Sequence, residues 1–170
     1  MLQSLRKSIQ EVFVVTNGYS VSHFIDKEAG YVSSWSMDLI RSLDQEHFKQ
    51  LCAGYFEEKC YRAKLSTQHD QNVIDIWLFK ESYSSANPFG IIQCWGTKAI
   101  PVESNDLKSL SKIIKINKIP LTAFITAGKF SKQAADNNSK RLKLIDGEKL
   151  LTLIQALPEI RKQRLLKKII

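Results

Sequence analysis

Residues 105–126 read NDLKSLSKIIKINKIPLTAFIT, and two different periods meet inside them. From Asn105 to Ile116 the apolar residues Leu107, Leu110, Ile113 and Ile114 recur at helical spacing, which predicts an amphipathic helix lying on a core. From Leu121 to Thr126 the apolar run is continuous and short, the pattern of a strand covered on both faces. A helix feeding such a strand is half of a β-α-β crossover, so the stretch predicts an α/β fold with parallel strands at its centre.

The other half lies just upstream, where Phe89 to Trp95 reads as a strand after the Ser, Asn and Pro-rich loop from Lys80 to Pro88. Earlier still, Tyr61 to Thr67 and Val73 to Phe79 are β-rich runs separated by the polar turn Gln68 to Asn72, which predicts a hairpin. Before the hairpin, Phe48, Leu51, Cys52, Tyr55 and Phe56 form a helical stripe to about Lys59, with Asp44 placed as N-cap. Downstream, Ser131 can cap a helix to about Ser139, Leu142 to Ile145 is a short strand, and Asp146-Gly147-Glu148 leads into a helix from Lys149 to Leu157. Strands paired first by a hairpin and then through helices predict a three-layer α/β/α fold with a central mixed sheet.

Around this core, residues 1–35 read as an N-terminal extension with a helix over Leu2 to Val15, or a strand starting within Val12 to Val15, and an irregular lead-in through Ser33 to Ser36, while 36–158 form the main domain. Residues 159–170 read as a basic tail, with Arg161, Lys162, Arg164, Lys167 and Lys168 interleaved among Ile160, Leu165, Leu166 and Ile169. That tail fits either a basic amphipathic helix for nucleic acid, an acidic partner or an anionic surface, or a terminal helix covering part of the core.

The 170 residues, 44% hydrophobic and 25% charged, have apolar material for one core. Apolar stretches such as Ile119 to Ala127 are shorter than the roughly 20 residues that span a bilayer, and the N-terminus lacks the continuous apolar region of a signal peptide. The expected location is cytoplasmic. Cys52, Cys60 and Cys94 leave an odd thiol without C-x-x-C spacing, and His23, His47 and His69 are scattered, so neither a disulfide framework nor a zinc ribbon is expected. The net charge of +8 is uneven: residues 1–85 hold 9 Lys/Arg against 11 Asp/Glu, and 86–170 hold 16 against 6. A basic second half fits a face that meets phosphates; a solvated set of basic helices is the plainer alternative.

Five words in order carry a family resemblance: Leu43-Asp44 with Phe48 and Leu51; Val73-Ile74-Asp75-Ile76; Ile91-Ile92-Gln93-Cys94; Phe124-Ile125-Thr126-Ala127-Gly128-Lys129-Phe130-Ser131; and Leu144-Ile145-Asp146-Gly147-Glu148-Lys149-Leu150-Leu151. From about Ser36 to Pro158 they resemble the Mrr-type restriction endonuclease domain, a branch of the PD-(D/E)XK nucleases. There they stand for the "FExL" helix, the "GGVD" and "QCK" strands, the "TTGxF" turn and the "LIDGxxL" close. The resemblance implies Asp75 and Gln93 as metal ligands, Cys94 as a core-facing residue lending its backbone carbonyl, and Mg²⁺ as the cofactor of DNA cleavage. The family's lysine, which steadies the phosphate charge, is replaced by Trp95. Its helix Glu is replaced by Lys49, and its glycines before the Asp by Gln71-Asn72.

Two catalytic positions therefore depart from the pattern. Lys49 from the helix, with Glu46 replacing the lost carboxylate, or Lys98 beyond Trp95, could supply the missing ammonium group. Alternatively Lys49 forms an internal ion pair with Asp75 where the metal would sit, which is the preferred expectation. Trp95 is expected to pack, with base stacking as the alternative. The turn holding Lys129, Ser131 and Lys132 is a candidate phosphate contact, since helix N-termini receive anions. Three functions follow: a DNA-associated domain with lost or weakened cleavage, a pseudo-nuclease docking a protein partner through its N-terminal extension or tail, and an active nuclease with a relocated lysine.

Overall fold

The structure is a computed structural model, which describes residues 34–66, 75–80, 87–96, 100–116, 118–136 and 138–169. The helix expected over Leu2 to Val15, the turn Gln68 to Asn72, most of the loop Lys80 to Pro88, and Lys98 lie outside the described residues. Trp35–Ile170 form one compact unit.

The chain enters this unit through α1 (Met37–Ser42) and α2 (Gln45–Glu57), then forms strands β1 (Tyr61–Leu65), β2 (Ile76–Lys80) and β3 (Gly90–Trp95). Helix α3 (Lys108–Ile116) carries it to β4 (Leu121–Thr126), α4 (Lys132–Asp136) to β5 (Lys143–Ile145), and α5 (Gly147–Gln155) and α6 (Glu159–Leu166) close it. The sheet order is β1-β2-β3-β4-β5. The first three strands pair antiparallel and the last three parallel, as a hairpin followed by crossovers requires.

Caps set the helix starts. Asp44 accepts from His47 N–H at the head of α2, and Asp146 from Lys149 N–H at the head of α5, each satisfying a donor that the first turn leaves unpaired. Helix α1 follows the irregular lead-in expected through Ser36, in a stretch before Asp44 for which the sequence pattern predicts no element; its cap Ser36 accepts from Leu39 N–H, and Leu39 and Ile40 are buried. Six residues are too few to reveal a period of 3.6.

Alternation along β3 divides the core between two faces. Ile91 joins Leu110, Ile114, Phe124 and Leu142 in a cluster to which Trp77 and Trp95 are packed. Cys94, one residue before Trp95, turns to the opposite face, where its thiol meets that of Cys52 on α2. With α3 on one side and α2 on the other, the layers are helix, sheet, helix, as expected. No helix among the described residues is long and apolar enough to cross a membrane.

The C-terminal basic segment is folded onto α2. Arg161 donates to the Glu58 carbonyl, Arg164 lies 3.6 Å from the buried Glu58 carboxylate, and Lys168 pairs with Glu57. Trp35 Nε1 donates to the Lys162 carbonyl at 3.1 Å. The segment covers part of the core, with Leu165 and Leu166 buried.

Helix α2 ends by turning Cys60 into the left-handed region at φ 63°, which costs a side-chain-bearing residue about 1–2 kcal/mol. Cys60→Gly removes that strain but adds unfolded-chain entropy. The net expectation is a gain of about 0.5–1 kcal/mol in urea unfolding; a loss would mean that the exposed thiol side chain contributes packing of its own.

Candidate functional site

The site forms where β2 and β3 begin to separate. Asp75 stands one residue before β2, and its N–H still donates to Ile92 C=O at 2.9 Å. Beyond that bond, the side chain of Asp75 replaces the missing strand partner: its Oδ2 accepts from Cys94 N–H at 2.7 Å. The carboxylate is thus fixed to the backbone of β3 by a charge-assisted bond. Its other oxygen, Oδ1, lies 3.0 Å from Lys49 Nζ, with side-chain exposures of 16% and 21% for the two residues. The pair is largely withdrawn from water, so its attraction is less screened than that of a surface pair.

Lys49 arrives from α2, and Gln45, one turn earlier, determines where that helix sits. Gln45 Nε2 donates to Cys94 C=O at 2.8 Å, and Gln45 Oε1 accepts from Gly96 N–H at 2.6 Å. One side-chain amide thereby completes the backbone hydrogen bonding at the end of β3. Gly96 permits this approach: a Cβ there would lie 3.0 Å from Gln45 Oε1 and 3.3 Å from Gln45 Cα. Sequence reasoning did not single out Gln45. Beside an N-cap Asp at an exposed helix start, a glutamine carries no signal of a partner that is distant in sequence.

Burial pulls the Lys49 pKa down, but the hydrogen bond and charge of Asp75, with Glu46 adding charge, outweigh it and raise it above the usual lysine value. A raised pKa means that the ammonium form is favoured by folding. The stabilisation is complete below the unfolded lysine pKa and is lost as pH rises through the folded value. Lys49 is therefore a cation at neutral pH and cannot act as a general base. It can only stabilise negative charge. Burial, reinforced by Cys52 and Asp75, pushes the Cys94 thiol well above its usual range, so it is an inert core group rather than a nucleophile.

The oxygen donors implied for a metal are Asp75, Gln93 and the Cys94 carbonyl, a hard set suited to Mg²⁺. Of these, only Gln93 Oε1 is buried without a partner. The Asp75 oxygens are engaged by Lys49 and by Cys94 N–H, and the Cys94 carbonyl by Gln45. No group of three His, Cys, Asp or Glu residues among the described residues could hold a metal ion. As arranged, the residues do not fit a divalent cation, because an ammonium group already occupies the carboxylate that it would need.

Trp95, at the family's lysine position, lies against Phe124 with ring centroids 6.3 Å apart, and Phe124 meets Phe130 at 5.9 Å. It fills the core beside the site. Elsewhere, Lys129 Nζ pairs with Glu148 at 3.3 Å, the Ser131 hydroxyl caps α4 by accepting from Ala134 N–H, and Lys132 is exposed. The structure brings together Asp75, Lys49 and the backbone of Cys94, with Gln93 the preceding residue on β3. Lys129 and Ser131 lie in a separate turn between β4 and α4, and Lys132 begins α4.

Comparison with known proteins places these features in a family. The family model described as restriction endonuclease matches residues 40–154. Among solved structures, the MspJI restriction endonuclease, in complex with a 27-mer oligonucleotide, superposes with a TM-score of 0.51 at 16% identity over 90% of this chain and 39% of its own. The DNA modification-dependent restriction endonuclease AspBHI superposes with a TM-score of 0.56 at 12% identity over 94% of this chain and 48% of its own. This chain thus spans less than half of either neighbour's length, and at these identities the likeness is one of fold. No curated protein matches. Since the family match covers well over half of the sequence and the sheet and helices follow the order that the five words predict, the chain belongs to the Mrr-type restriction endonuclease family.

Proposed function

We propose that the chain is a DNA-associated restriction-endonuclease-like domain in which metal-dependent phosphodiester cleavage is lost or weakened. The observation that carries this reading is the Lys49 ammonium 3.0 Å from Asp75. It neutralises the carboxylate that would have recruited the metal, and Trp95 packs where the family's lysine would stand. Association with DNA rests on family membership, on the oligonucleotide complex of the MspJI neighbour, and on the +10 balance of residues 86–170. Contacts to phosphates would supply affinity without base reading and would weaken steeply with salt.

Two observations favour a second reading, an active nuclease with its lysine moved to α2. Lys49 does reach the site, and Gln93 Oε1 has no partner. A plasmid-nicking assay separates the two. Supercoiled plasmid with Mg²⁺ or Mn²⁺ is expected to stay supercoiled with the parent chain, while gel retardation of the same DNA weakens as salt rises. Nicking by the parent that disappears in both Asp75→Ala and Lys49→Ala would establish the relocated-lysine reading instead.

A further inference from the structure

The two opposite charges at the strand end are both set in fixed frames. Asp75 Oδ2 is held by Cys94 N–H at 2.7 Å, so the carboxylate cannot swing its charge away from β3. The helix that carries Lys49 is fixed as well, because Gln45, one turn earlier, is bonded to both Cys94 C=O and Gly96 N–H. The ammonium and the carboxylate therefore meet at 3.0 Å as a consequence of how α2 sits on the sheet. Each side chain keeps some exposure, 21% for Lys49 and 16% for Asp75. Anything that approaches from solvent meets their combined field.

Without the lysine that field would be acidic. Asp75 carries one negative charge, and Glu46, exposed one turn before Lys49, supplies another that Lys49 feels. A DNA phosphate brought towards two carboxylates is repelled, and a cation has to offset the repulsion before the backbone can settle there. In a metal-dependent phosphoryl site a bound divalent ion supplies that charge. Here the residues do not fit such an ion, and an ammonium carried by the chain itself stands on the carboxylate. Although burial pulls the other way, the hydrogen bond and charge of Asp75 keep Lys49 protonated at neutral pH, so this cation is always present.

Resting on the DNA-associated reading above, we infer that Lys49 is a built-in counterion that cancels Asp75 and lets the domain engage a DNA backbone at this strand end without any divalent metal. A site that depends on captured metal alternates between repelling a phosphate and accepting it. This one is held in the accepting state. Lys49 then does more than mark lost cleavage, because it frees binding from the supply of metal. Its role is to remove a charge, so any other means of removing the Asp75 charge should serve equally well.

Fluorescence anisotropy of a labelled duplex of mixed sequence with the whole chain, in EDTA and then in Mn²⁺ at matched ionic strength, reads this directly. The parent is expected to bind within about twofold of the same affinity in both conditions. Lys49→Ala should bind about tenfold more weakly in EDTA, equivalent to about 1.4 kcal/mol, and Mn²⁺ should restore most of the loss. Adding Asp75→Asn to Lys49→Ala should recover the parent's affinity in EDTA and abolish the response to Mn²⁺. Loss of a direct lysine–phosphate contact could not give that recovery, which is what the double variant isolates. Lys49→Gln, which keeps the length of the side chain without its charge, replaces the alanine variant if melting curves show alanine to be unfolded. Three results overturn the inference: a parent that gains about tenfold with Mn²⁺, a Lys49→Ala protein that binds like the parent in EDTA, or a double variant as weak as Lys49→Ala. In each of these the parent still binds DNA, so the DNA-associated reading survives. A parent that binds no duplex in either condition removes that reading, and this inference with it.

Discussion

Lys49→Ala is expected to bind Mn²⁺ at least about tenfold more tightly than the parent chain, and Asp75→Ala added to it should abolish the gain. In the folded parent the ammonium stands 3.0 Å from Asp75 Oδ1. A divalent ion must displace that ammonium or sit beside it. Like charges a few ångströms apart near a protein surface repel by several kcal/mol (about 4 at 4 Å for unit charges). A fraction of that is sufficient for a tenfold effect. Removing the lysine leaves the Asp75 carboxylate as a hard oxygen donor with no cation at 3.0 Å to compete for it. Titration followed by Mn²⁺ electron paramagnetic resonance reads the affinity directly. Equal affinity in parent and variant would show that the cation does not govern the site, and the account of weakened cleavage would fail with it.

Gly147→Ala should lower stability by about 2 kcal/mol, read as a lower urea midpoint at an unchanged slope. Gly147 begins α5 directly against the end of β4. A Cβ built there lies 2.5 Å from Ala127 O, 3.1 Å from Ala127 C and 2.8 Å from Met37 Cε. The methionine can swing aside, but the carbonyl belongs to the strand end and cannot. Gly147 N–H also donates to Gly128 C=O at 3.1 Å, so a shift of α5 to relieve the clash would loosen that bond. Alanine's better helix propensity, worth at most about 1 kcal/mol in a helix interior and less in the first turn, offsets only part of the overpacking. A neutral result would mean that α5 slides freely on β4.

These two residues also mark what a single sequence can and cannot disclose. Gly147 sits in the Asp146-Gly147-Glu148 start that is readable from local chemistry, and the strands around β4 are readable from apolar runs. Such features are local, so the sequence displays them. The Lys49 contact is different. It joins residues 26 positions apart and is one alternative among several in the sequence, because periodicity places Lys49 on a helix but not which strand end that helix flanks. Gln45 is invisible for the same reason. Trp95 is expected to pack, and does, since an aromatic side chain on an apolar strand has few better options than a core. The C-terminal charges are the most ambiguous: nothing in the spacing of Arg161, Arg164 and Lys168 announces that Glu57 and Glu58 stand opposite.

That docking makes α2 a rod gripped at both ends. Its first turn is bolted through Gln45 to Cys94 and Gly96, and its last turn is clamped by the cations of the C-terminal segment on Glu57 and Glu58. Lys49 rides between the two grips. Whatever pries the C-terminal helix loose, whether high salt or a competing polyanion, releases one end of the rod while the other still holds. The response at Asp75 would then be a swing about Gln45 rather than a melting of the site, and the distance from Lys49 to Asp75 becomes a gauge of whether the far end of the molecule is closed.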